Sequence, residues 1–182
     1  MILTIGLTGA LLSVAGLVFL SLRATKPSNL GVRNGTLAVC PDSPNCESSL
    51  TSNSSHFMIP IAYDGDSATA MQSLLDVVSE MDGARVITSE DKYIHCELST
   101  PLFRFVDDVE FLLDIDESVI HFRSASRIGH SDFGQNRRRM NEIRRKFTEA
   151  CSDQRPTTSK SQLSIGRTIA VGAQLEHAEF GL

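Results

Sequence analysis

No charged side chain occurs from Met1 to Leu22, and this run divides the chain before any other feature is weighed. At about 1.5 Å per residue, a helix of that length spans roughly the 30 Å hydrocarbon core of a bilayer. Arg23 and Lys26 end the run, and Pro27 stops any helix. Three readings compete for residues 1–23. A single-pass membrane anchor, or an uncleaved signal acting as one, fits the length best. A cleaved signal peptide wants a basic start and a small-residue cleavage site, and neither is clear. A buried core helix this long rarely lacks a single charge. No cysteine follows closely, which argues against lipoprotein attachment. The basic residues Arg23, Lys26 and Arg33 follow the run, and the positive-inside tendency alone would place that side in the cytoplasm.

The cysteines pull the other way. Residues 24–55 form a linker around Cys40 and Cys46, which enclose the turn-prone Pro41-Asp42-Ser43-Pro44-Asn45. In an exported domain this pair is a small disulfide-closed loop. In the cytoplasm it would be two free thiols, or half of a metal site whose second Cys/His pair is missing. The disulfide is the preferred reading. No metal set and no cofactor is indicated. A net charge of -5 and the absence of tryptophan argue against a nucleic-acid partner.

From residue 56 to 151 the pattern is that of a folded core. Phe57, Ile59, Ile61 and Tyr63 alternate with smaller residues, as in a strand with one buried face. Asp64-Gly65-Asp66-Ser67 then feeds a helix whose stripe is Ala68, Met71, Leu74, Leu75 and Val78, with Gly83 as its stop. Strands follow at Arg85 to Thr88 and Tyr93 to Leu98. A long hairpin joins Phe105 to Ile115 with Val119 to Ala125 across Asp116-Glu117-Ser118. A basic helix from Gly134 to Cys151 buries Met140, Ile143, Phe147 and Cys151. The order strand, helix, several strands, helix implies an α+β fold, an antiparallel sheet covered on one face by two helices. Residues 152–182 keep no sustained period and are expected to be a poorly structured tail.

Gly31-Val32-Arg33, the Cys40 to Cys46 segment, Phe103 to Phe111 and the long Arg123 to Arg139 stretch resemble the domain-of-unknown-function 1499 (DUF1499) family. The resemblance covers roughly Leu30 to Cys151. It implies a bacterial protein with an N-terminal signal or membrane segment, so the soluble domain is expected on the periplasmic side of the inner membrane. It implies no activity. Cys96 and Cys151 match no family motif and read as ordinary thiols.

Strand parity sorts the chemistry. Phe105, Val109, Phe111 and Leu113 share one face, and Arg104, Asp108 and Glu110 the other. His121 and Arg123 oppose Ile120 and Phe122, while Tyr93, His95 and Glu97 oppose Ile94, Cys96 and Leu98. The result is a polar sheet face of His95, Glu97, Arg104, Asp108, Glu110, His121 and Arg123, expected to be a solvated lattice of cross-strand ion pairs. Between Glu90 and Glu117 there are nine acidic and two basic residues, and between Ser131 and Cys151 six basic and three acidic. That segregation brings opposite charges together.

The Arg-rich strand-to-helix turn is the candidate ligand site. Arg123, Arg127, Asp132, Asn136 and Arg137 lie around a helix start where an anion or protein partner could bind. Against this, Asp132 could simply cap the helix while Arg127 pairs with Asp107 or Asp108, leaving Arg137 as the better ligand contact. The functional expectation is a membrane-tethered exported module with a binding or structural role. The alternative is a hydrolytic or metal-dependent enzyme using the histidines and carboxylates of the polar face. It has weak support: Asp107-Asp108 point to opposite faces, and Ser126 or Ser131 near His130 lacks a nucleophile-elbow signature.

Overall fold

The computed structural model describes residues 24–101 and 104–153, together with Gly16. The expected anchor (Gly16 apart), Phe103 of the family motif and positions 154–182 of the expected tail lie outside the described residues. No helix among the described residues is long and apolar enough to cross a membrane. The elements are β1 (Cys46–Ser48), β2 (Ile61–Ala62), α1 (Ser67–Ser79), β3 (Ala84–Glu90) and β4 (Tyr93–Ser99). β5 (Val106–Asp114), β6 (Val119–Ser126) and α2 (Gln135–Asp153) complete them. Six antiparallel strands form one sheet in the order β1-β6-β5-β4-β3, with β2 also pairing with β6. The fold is α+β.

The hairpin β5–β6 runs in unbroken register from Asp107 opposite Ser126 to Asp114 opposite Val119. Ser118, at φ +53°, closes its turn. β3 extends to Glu90, beyond the expected end at Thr88, so the turn to β4 is only the pair Asp91-Lys92. α1 starts where Asp66 accepts the Thr69 amide at 2.8 Å, a side-chain cap for an otherwise unpaired donor. Its buried stripe is Ala70, Met71, Leu74, Val77 and Val78, whereas Ala68 is exposed and Leu75 only half-buried. The buried face thus sits about one residue nearer the helix start than the expected stripe. α1 ends at Ser79, and Gly83 serves the following turn at φ +73°. A Cβ there would lie 2.4 Å from the Ser99 carbonyl oxygen.

α2 buries Met140, Ile143 and Phe147 as its spacing predicts, and Cys151 only partly. Both helices pack their apolar stripes on Ile94, Cys96, Leu98, Val109, Phe111, Leu113, Ile120 and Phe122, which form one core with them. The expected strand from Phe57 to Tyr63 shrinks to Ile61–Ala62. Met58, Ile61 and Tyr63 are buried, but Phe57 and Ile59 are exposed. The cause lies in α2. Arg137 donates to the carbonyls of Ser55 and Phe57, and Arg144 to those of Ile59 and Pro60, so the backbone faces the helix as a strap.

The stretch expected to be a linker supplies β1, which extends the sheet on the outer edge of β6 with Ser48 opposite Arg123. Ser49 continues the pairing: its amide donates to the Phe122 carbonyl and its hydroxyl accepts the Phe122 amide. A disulfide joins Cys46, the first residue of that strand, to Cys40. Arg33 and Thr36 exchange backbone hydrogen bonds around Asn34-Gly35, both at positive φ, a tight turn for which this pair is suited.

Candidate functional site

The face of the sheet turned away from the helices collects Tyr93, His95 and Glu97 from β4, Asp108 and Glu110 from β5, and Arg123 from β6. Register sets His95 opposite Glu110, Glu97 opposite Asp108 and Glu110 opposite Arg123. Arg127 follows β6 onto the same face and joins two strands. Its Nε and Nη2 donate to the two oxygens of Asp108 at 2.8 Å each, and Nη2 also donates to Glu97. Arg85 on β3 donates to the other Glu97 oxygen at 2.7 Å. His95 Nε2 lies 2.9 Å from Asp108 Oδ1. A carboxylate only accepts, so Nε2 carries the proton.

A second cluster centres on Glu110. Its Oε1 accepts from the Tyr93 hydroxyl at 2.8 Å and from the Gly31 amide at 2.7 Å, and its Oε2 accepts from Arg123 Nη1 at 3.3 Å. The Gly31 contact brings the chain before β1 onto this face at Glu110. Glu110 is 0%, Asp108 1% and His95 2% exposed. The expected solvated lattice is in fact a sealed one. The pairing was foreseeable from strand parity, but the cover was not, because a Gly-containing stretch of low periodicity carries no burial signal. Arg123 Nε is the one buried side-chain polar atom without a partner among the described residues.

Two expected members stand apart. Arg104 precedes β5 in an exposed turn at φ +56°, off the sheet. His121 is half-buried, with Nδ1 3.2 Å from Ser49 Oγ and Nε2 3.8 Å from Asp114. Serine, histidine and aspartate thus line up, but Ser49 Oγ already accepts the Phe122 amide and the Asp114 contact exceeds hydrogen-bond length. The group ties β1 to β6.

The Arg-rich turn is equally committed. Asp132 accepts the amides of Gly134 and Asn136 at 2.9 and 2.6 Å and so caps α2. Arg137 forks onto Glu47 of β1 at 3.0 and 2.6 Å. Asn136 is fully buried. It accepts from Ser124 and Arg139, and its amide donates to the Asn45 carbonyl and to Ser126. Arg139 pairs with Asp107 at 2.6 Å on the helix side of the sheet, so the two adjacent aspartates do serve opposite faces. The roles of Asn45, Glu47 and Arg139 were not anticipated. The first two depend on the chain at β1 lying beside α2, and Arg139 on α2 crossing the start of β5, which no local pattern announces. On the outer face of α2, Arg145 pairs with Glu149 and Lys146 with Glu142 at helical spacing, while Arg138 turns to the Phe133 carbonyl.

Electrostatics keep these groups in fixed charge states. Burial pushes the Asp108 carboxyl upward, but the Arg127 fork and His95 outweigh it and hold the group below the ordinary aspartate range. Glu97 is likewise held low, since Arg85 and Arg127 overcome burial. Burial, followed by the Glu110 charge, drives Tyr93 upward, so it remains a hydrogen-bond donor. Arg127 is driven up, above all by its Asp108 hydrogen bonds. On the other face, burial pushes the Cys96 thiol up to about 12, which leaves it inert. No group of three or more His, Cys, Asp or Glu side chains among the described residues is placed to hold a metal ion.

Open space lies elsewhere. A groove of about 390 Å³ between α1 and the end of α2 is lined by Tyr63, Thr69, Ala70, Phe147 and Cys151, among others. Another of about 410 Å³ is bordered by Met81, Leu98, Thr100, Arg138 and Lys146. Neither touches His95, Glu110 or His121. A family model described as "Protein of unknown function (DUF1499)" matches residues 36–147. No curated protein and no solved structure matches.

Proposed function

Since the chain belongs to the DUF1499 family, whose description records no activity, we propose on the geometry alone that it is a tethered binding or structural module. In this reading residues 1–23 anchor it in the bacterial inner membrane, and the α+β domain stands on the periplasmic side. The carrying observation is the sealed polar face. A general acid or base must come within hydrogen-bond reach of its substrate, directly or through one water. Glu110, Asp108 and His95 are almost wholly buried and bonded to one another's neighbours. Their work is to bind four strands and the preceding chain into one rigid body. The disulfide favours the exported side, because such bonds persist in oxidising compartments.

The surface offered to a partner is then the loop between β6 and α2, since Arg123, Arg127 and Arg137 already hold carboxylates. Two measurements test the proposal. A reporter enzyme fused after Cys151 should be active only outside the cytoplasm, and cytoplasmic activity would remove the exported reading. The purified full chain should turn over no chromogenic ester or phosphoester. Turnover abolished by His95→Asn would replace the module with an enzyme.

A further inference from the structure

We propose that the loop from Arg127 to Gly134 is a membrane-docking tip, in which the Phe133 ring enters the interfacial layer of an anionic bilayer while Arg138 meets lipid phosphates. This rests on the tethered reading above. The Phe133 side chain is 87% exposed, more than any other large apolar residue described. A single exposed ring is ordinary. Its backbone is not: φ is +54°, a left-handed conformation that asparagine or glycine adopts at less cost than a bulky residue. Backbone strain of this kind, where the fold gains nothing from the side chain, points outward to a function.

The loop is braced from beneath. Ser131 Oγ accepts the Phe133 amide at 3.2 Å, Asp132 accepts those of Gly134 and Asn136, and Arg138 Nη1 donates to the Phe133 carbonyl at 2.9 Å. At the loop's other end Asn45 donates to the Gly129 carbonyl at 2.6 Å. The ring is thus held out in a fixed position, which lowers the ordering cost of engaging a partner.

The surroundings select the partner. Asp132 keeps its charge, but both its oxygens are turned onto backbone amides at the helix start, whose partial positive charge offsets it. Arg138 bonds only neutral oxygens, those of Phe133 and Gln135. An aromatic ring beside an uncommitted cation suits the headgroup layer of an anionic membrane. A stable protein interface needs roughly 800 Å² per partner, whereas a fluid interface can accept one side chain. The tether keeps the domain close to the bilayer: Gly31 is pinned by Glu110, and the nine residues from the end of the uncharged run at Leu22 span at most about 30 Å.

The chain has no tryptophan, so Phe133→Trp creates a single reporter. The full chain is reconstituted in vesicles of phosphatidylethanolamine and phosphatidylglycerol. Emission from the introduced indole should shift to the blue and be quenched by lipids brominated near the headgroup. Quenching should fall severalfold with Arg138→Gln, or when phosphatidylcholine replaces phosphatidylglycerol. Ile115→Trp, in the turn at the opposite end of the β5–β6 hairpin, should remain unquenched. Water-like, unquenched emission from the Phe133→Trp chain, in a protein that resists alkaline carbonate extraction, overturns the docking tip and leaves the tether intact. Release of the chain by carbonate sinks the tether. The tip is then judged by the same quenching after the chain is added to preformed vesicles, with none overturning it. A blue shift in the reconstituted chain without bromolipid quenching assigns the loop to a protein contact and also overturns it.

Discussion

Arg127→Ala would test whether the polar face is held by its charges. Arg127 gives two 2.8 Å hydrogen bonds to Asp108 and another to Glu97, and its side chain is 9% exposed. Its removal leaves Asp108, almost wholly buried, with His95 alone, and Glu97 with the largely exposed Arg85. Breaking a buried pair by deleting one partner costs about 3–5 kcal/mol. Because each carboxylate keeps one partner, the low end applies, about 3 kcal/mol, or a fall of roughly 10–15 °C in melting temperature for a domain of this size. Arg127→Lys should rescue little, since a single ammonium cannot reproduce the two-pronged geometry. The assay is urea unfolding of the full chain followed by far-ultraviolet circular dichroism, with the midpoint shifting at constant slope.

The pH dependence sharpens the test. Asp108 and Glu97 have folded-state pKa values below their unfolded ones. Their contribution is therefore complete above about pH 4–4.5, where both would be ionised in the unfolded chain, and is lost as pH falls through the folded values. Without Arg127 the Asp108 value rises, so the variant has less to lose. The gap between wild type and variant should be full at pH 7 and narrow below about pH 4. A cost under about 1 kcal/mol at pH 7, or a gap that does not change with pH, would refute the charge network as the source of rigidity. A stable Arg127→Ala protein that has lost a phosphate- or citrate-dependent melting shift seen in wild type would instead make Arg127 an anion receptor.

Non-reducing mass mapping should find Cys40 linked to Cys46. Cys40→Ser should loosen the chain before β1 at a cost of about 2 kcal/mol, modest because the closed loop is short, and recovery of two alkylatable thiols from untreated protein would refute the bridge. Gly83→Ala meets both a positive φ and the Ser99 carbonyl at 2.4 Å, so it should cost more than the roughly 1 kcal/mol of backbone strain alone. A near-neutral melting temperature would show that the α1–β3 turn is not held against β4 as described.

Local pattern determined most of the secondary structure. The β5–β6 hairpin, the α2 stripe and the opposite faces of Asp107 and Asp108 follow from periods of two and 3.6 residues, which are properties of the chain itself. The same parity is enough to assemble His95, Glu97, Asp108, Glu110 and Arg123 on one face. Whether that face met water was decided only in three dimensions. Gly31 reaches Glu110 across 79 residues, Arg137 reaches Glu47 across 90 and Asn136 reaches Asn45 across 91. Each of those contacts closes a long loop, and its partners carry no periodic mark because one lies in irregular chain or a short edge strand. Phe57 and Ile59 show the same limit from the other side, since arginines on α2 claim their backbone and turn apolar side chains outward. Periodicity reports which residues can share a face; whether that face is dry depends on where distant, aperiodic chain comes to rest, and only the closed tertiary structure sets that.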